Sequence, residues 1–155
     1  MMMEQNLNHW RWRHTKHVTP KNWARSATIV KIIDLLIRML LSAIFIIAGI
    51  GKIEAYVQTQ AYMETFAVPA WLLFPAIIFE ITAGILLLIG LATRPVAICL
   101  AFFSLSTALI FHSDFSDSFQ TIMFLKNCAI AGGLLLLAKH GSGSIALDTR
   151  KYIWS

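Results

Sequence analysis

The chain has little charge and few groups that do chemistry. Of its 155 residues, 14% are charged and 57% hydrophobic, whereas a soluble domain is typically about a quarter charged and about half apolar. Only two cysteines occur, Cys99 and Cys128, and no CxxC. Their absence from such a motif argues against thiol–disulfide catalysis. No His, Cys and carboxylate residues recur at metal-site spacing, so no metal is expected. His112 has no second histidine inside an apolar run with which to share a haem iron. A glycine-rich phosphate loop and a serine nucleophile motif are missing too. No cofactor is intrinsic on this reading, and a part in electron transfer requires a borrowed redox centre.

Basic residues are missing from two particular places. The stretch from Glu54 to Ala70 carries Glu54 and Glu64 without Lys or Arg, and SDFSDSF carries Asp114 and Asp117 without either. The basic residues gather elsewhere: Arg11, Arg13, Lys16, Lys21, Arg25 and Lys31 early, Arg94 in ATRP, and Lys139, Arg150 and Lys151 late. The net charge is +5. Nucleic acid is not needed as a partner to explain it, because positive-inside topology already accounts for the placement.

What the chain does have is four long apolar runs, at about 32–53, 71–92, 95–112 and 119–138. Each approaches the ~20 residues that a helix needs to cross hydrocarbon. All-round apolarity argues against strands and against a soluble amphipathic bundle. The expected fold class is all-α, a four-helix transmembrane bundle over 32–138 in contact with the lipid bilayer. Both termini are expected in the cytoplasm and both acidic loops outside. Residues 1–31 read as a basic interfacial segment with Trp10, Trp12 and Trp23, not as a cleavable signal, because no apolar core precedes a cleavage site. Residues 139–155 read as a cytoplasmic tail.

Glu80 interrupts the second run and Lys126 the fourth. An ionisable group in hydrocarbon costs at least a few kcal/mol without a partner. Both runs enter from the same face, and at 1.5 Å per residue Glu80 lies about 13 Å below Trp71 and Lys126 about 10 Å below Phe119. The two are therefore expected to pair. Small residues mark the faces that helices turn inward: Ala83 and Gly84 beside Glu80, Ala129 and Gly133 beside Lys126, Ala48 and Gly49 beside Lys52, Ser104 and Ala108 beside His112. Lys52, Glu80, His112, Lys126 and the adjacent Asn127 are thus the candidate ligand or proton-relay residues, gathered in a pocket opening outward. No catalytic residue is assigned. The plainer alternative is a Glu–Lys latch fixing helix register, with Lys52 snorkelling and His112 an ordinary boundary residue. Asp34 and Arg38, at i and i+4, read as interfacial and structural.

These residues carry a resemblance. GIGKI closes the first run, FEITAGILLLIG lies in the second, ATR follows it, and IFH closes the third. FLKNCAIAGGLLLLAKHGSG followed by ALD is the most specific block. Over about 38–148 the pattern resembles the DoxX family of small bacterial inner-membrane proteins, with Ala146 standing where the family pattern has Ser. The resemblance implies an accessory subunit of a membrane oxidoreductase complex, similar to the small subunit of thiosulfate:quinone oxidoreductase. It implies a redox-protein partner and contact with quinone, and says nothing of which reaction is served. Lys126 and Asn127 would then hydrogen-bond a quinone oxygen, Glu80 would hold Lys126 charged or exchange a proton with it, and His112 would relay protons outward. A small-solute transporter is the alternative reading; four spans are few for alternating access, so it calls for a homo-oligomer. A membrane scaffold is the third.

Overall fold

The computed structural model describes residues 20–143 and 145–147, with side chains from residue 28 onward. The Trp10 and Trp12 part of the basic segment and the last residues of the tail lie outside the described residues, as does the Trp23 side chain. Five α-helices follow in order: α1 (Pro20–Glu54), α2 (Tyr56–Thr65), α3 (Leu73–Ile89), α4 (Thr93–Phe111) and α5 (Ser118–His140), with a 3-10 turn at Ala70–Leu72 before α3. No strand occurs among the described residues. Among the described residues, four segments are long and apolar enough to cross a membrane: Thr28–Glu54, Ala70–Ile89, Thr93–Phe111 and Ser118–His140.

The helix ends follow local chemistry. Pro20 opens α1, where the N–H it lacks would have had no helical partner. From there to Lys31 no Gly or Pro interrupts, so α1 extends back into the basic segment. Asp117 caps α5, its side chain accepting from Phe119 N–H at 2.9 Å. Gly90 ends α3 with φ of 71°, a left-handed conformation that L side chains avoid. α2 lies where the sequence suggested only a loop. It has no helix breaker, and its Tyr62 meets Phe66 and Phe111 with ring centroids 5.1 and 5.8 Å apart.

α1 packs mainly on α3 and α4 mainly on α5; the two pairs meet along narrower α3–α4 and α1–α5 contacts. Glycine lets α1 and α3 approach: a Cβ at Gly49 would fall 2.6 Å from Ile81, and one at Gly84 2.8 Å from Ile46. Alanine does the same between α4 and α5, where Ala97, Ala101, Ala131 and Ala138 are buried with Leu100 and Leu134. Close approach through small residues is how membrane helices gain packing where no hydrophobic force drives them together. The outward faces carry Leu40, Ile47, Phe74, Phe102, Leu109 and Leu125, all exposed. A bundle with an apolar outside is suited to lipid.

Candidate functional site

Chain order gives the bundle two ends. One holds α2 and the α4–α5 loop; the other holds the α3–α4 turn, the start of α1 and the tail. At the α2 end, Glu80 is buried in α3 and Lys52 stands in the last turn of α1. Lys52 Nζ donates to both carboxylate oxygens, at 2.9 and 2.8 Å. The Glu80 side chain is 5% exposed and that of Lys52 30%. The carboxylate is therefore sealed in while the ammonium opens towards the end of the bundle. Charge-assisted bonds of this length are among the stronger polar contacts.

The expected pairing of Glu80 with Lys126 is corrected by this geometry. Lys126 is exposed on α5, and its Nζ donates to Met123 Sδ at 3.2 Å. Glu80 Cβ lies 3.6 Å from where a Cβ on Gly49 would be, and Leu41 lies 3.5 Å from the same point on Gly133. Seven residues along each helix then bring Lys126 level with Ala48, beside the Glu80 level. What depth omitted was the face: α3 packs on α1 and α4 rather than on α5, and Lys126 stands on the exposed side of α5. Lean then favours Lys52, because side chains tilt towards the N-terminus of their own helix. α1 and α3 run in opposite directions, so Lys52 leans down into the bundle and Glu80 leans up to meet it.

The remaining candidates are dispersed. His112 caps the C-terminus of α4 and is half-buried, with Nδ1 2.7 Å from Gln120 Oε1 in the first turn of α5. Among the described residues, this His–Gln contact shares no bond with the Lys52–Glu80 pair. Asn127 is half-buried and has no hydrogen-bond partner among the described residues. In the α4–α5 loop, Asp114 accepts from the Ser116 hydroxyl at 2.5 Å and from its N–H at 3.0 Å. These bonds hold the Asp114 carboxyl below its ordinary range, the Ser116 side chain contributing most. Cys99 and Cys128 are both free thiols.

The opposite end holds what sequence reasoning missed. Arg38 is 1% exposed rather than interfacial. Its Nη2 donates to the Ile145 carbonyl, and its Nη1 lies against Gly90, where any Cβ would collide with it. The segment after α5 folds back over this end: Ser142 is buried, Gly143 lies against Asp34, and Leu147 N–H donates to Ile89 O at 3.2 Å. Arg38 Nε and Nη1, with Thr93 Oγ1, are buried without a hydrogen-bond partner among the described residues. A guanidinium cannot lose its proton in a protein, so this is a fixed charge and not a relay. The signal was present in ILLLIG, ATR and HGSG…ALD, but nothing in those letters says that they meet at one arginine.

The DoxX family model matches residues 33–113, a span that includes Arg38, Lys52, Glu80 and His112 and stops before α5. The chain is similar to inner membrane protein YqjF of Escherichia coli (strain K12), 44% identical over 114 residues that cover 74% of this chain and 88% of that protein. It is also similar to inner membrane protein YphA of the same organism, 37% identical over 123 residues covering 75% of this chain and 88% of the relative. No solved structure gives a match. With four membrane-length helices, a family match over half its length and inner-membrane relatives on either side of 40% identity, the chain belongs to the DoxX family of integral inner-membrane proteins.

Proposed function

We propose that this protein is a non-catalytic subunit of an oxidoreductase assembly in the bacterial inner membrane, contacting quinone through Lys52 and Glu80. The observation that carries the reading is the asymmetry of the ion pair. Lys52 spends two of its three N–H donors on Glu80 and keeps one, on a side chain 30% exposed at the end of the bundle. That donor suits the carbonyl oxygen of a quinone ring seated between lipid and α2. Glu80, held behind the ammonium, is the group able to give or take the proton that quinone chemistry needs. His112 with Gln120 is a second polar group at the same end and a route for protons to the surface. The termini face the cytoplasm and this end faces outward, as the Lys and Arg distribution favours.

The test is the quinone content of protein purified in mild detergent, read by solvent extraction and mass spectrometry. Wild type should carry near-stoichiometric quinone, Lys52→Met and Glu80→Gln should lose it while remaining monodisperse, and Lys126→Met should keep it. A wild type without quinone, or variants that retain it, would leave the pair as a latch and overturn the reading.

A further inference from the structure

Lys126 is a charge that this fold does not explain. It lies eight residues into α5, about 12 Å along the helix axis, on an exposed face with Ile122, Leu125, Ala129, Gly132 and Leu136. Among the described residues its one polar side-chain contact is the neutral sulfur of Met123. Among the described residues the only carboxylate at its depth is Glu80, which Lys52 already holds. Intramembrane lysines normally pair with a carboxylate or line a polar cavity, because the unpaired charge is costly in hydrocarbon. Gly132 raises the same question one turn and a half deeper. A glycine inside a helix costs about 1 kcal/mol relative to alanine. Its neighbour Gly133 has a reason within the fold, since Leu41 packs there, but around Gly132 there is open space within 4 Å.

We propose that this face of α5 docks a transmembrane helix of a different protein, one that presents a carboxylate to Lys126 and packs its backbone close to Gly132. The inference deepens the accessory-subunit reading by giving the partner's chemistry, and rests on that reading only in taking a partner to exist. A second copy of this chain does not meet the requirement. In the same membrane orientation it offers its own Lys126 and, at that depth, a Glu80 buried and already paired. Like charges would face each other across such a dimer.

The probe is a synthetic leucine–alanine transmembrane peptide with one Asp a third of the way along, compared with the same peptide carrying Leu there. Association with the labelled full-length protein is read by energy transfer in zwitterionic vesicles, then in vesicles containing anionic lipid. Wild type should bind the Asp peptide roughly tenfold more tightly than the Leu peptide. Lys126→Leu should abolish that preference, and Gly132→Leu should weaken binding of both peptides. Equal binding of the two peptides by wild type would overturn the proposal. So would loss of the preference in anionic vesicles, which would make lipid headgroups the counter-charge, or a Gly132-dependent homodimer forming without peptide. The peptide assay does not read quinone, and Lys126→Met is expected to leave quinone content unchanged, so the failure of one proposal is separable from failure of the other.

Discussion

The two ends of the bundle each bury a cation from α1, and they satisfy it in opposite ways. At the α2 end, Lys52 meets a carboxylate, both partners are titratable, and the lysine opens outward. At the terminal end, Arg38 meets a backbone carbonyl beneath a folded-back tail, and it can neither lose its proton nor reach water. One arrangement is suited to exchange and the other to closure. The comparison teaches where chemistry is to be sought: the more deeply buried charge is suited to an architectural part, and the half-open pair is the proposed site.

The largest effect is expected from breaking the closed end. Gly90→Val would place a β-branched residue at φ of 71° and drive its Cβ into Arg38. Strain at such a backbone position is about 1–3 kcal/mol, and overpacking adds a similar amount. The variant should fail to give a monodisperse species on size-exclusion chromatography, or should lose it at markedly lower temperature than wild type. A Gly90→Val protein as heat-resistant as wild type would mean that Arg38 is not locked where it lies.

The second effect sharpens the contrast by treating the open pair as two unequal halves. Lys52→Met leaves a carboxylate that is 5% exposed without its counter-charge, whereas Glu80→Gln leaves a lysine that is 30% exposed and able to turn outward. Removing one partner of a fully buried pair costs about 3–5 kcal/mol. Lys52→Met should approach the lower part of that range and Glu80→Gln should fall clearly below it. Thermal midpoints of both variants in one detergent decide the order. A reversed order would argue that the carboxylate, not the ammonium, has the easier way out.

Much of this architecture was legible in the letters, and the failures have identifiable causes. Four runs of near-spanning length specify four membrane helices because lipid leaves a backbone few alternatives. α2 was not legible: YVQTQAYMET has no apolar run, and its helix is held by tertiary contacts such as Tyr62 on Phe111. The depth of Glu80 and Lys126 could be counted along each helix, but their contact could not, because it depends on which helices are neighbours and which face each residue takes. Arg38 was legible as a structural residue near the end of its span, but not as one sealed beneath the tail. An i, i+4 Asp–Arg pair near a helix end looks interfacial until a tail more than a hundred residues later covers it. The polar groups at the α2 end were identified as residues; their grouping into one shared pocket was not supported, since His112 pairs with Gln120 and Lys126 stands apart.

A third prediction concerns the cover of the open end. Phe111 sits between Tyr62 and Phe66, with centroids 5.8 and 5.3 Å away, and aromatic pairs of this kind contribute about 0.5–1.5 kcal/mol each beyond the area they bury. Phe111→Ala should therefore loosen α2 without dismantling the spans. Limited proteolysis should cut the Glu54–Ala70 segment several-fold faster while the apolar helices remain protected. Unchanged cleavage would show that α2 is held by Met63, Leu73 and Ile77 alone.

The smallest expected effect lies in the loop beside this end and checks that exchange chemistry there is confined to the ion pair. Asp114 is fully exposed, and its carboxyl is held below the ordinary value by the Ser116 hydroxyl and N–H. A depressed carboxyl favours the folded loop at pH above its unfolded value, and that contribution disappears as the pH falls through the folded value. Ser116→Ala removes the larger of the two bonds, so the Asp114 titration followed by NMR should move up towards the ordinary carboxylate range. The thermal midpoint at neutral pH should not change measurably, because the group lies in water in both states. Quinone content should not change either. If Ser116→Ala lowered the quinone content, the α4–α5 loop would belong to the proposed site, and the division between one open pair and its inert surroundings would have to be redrawn.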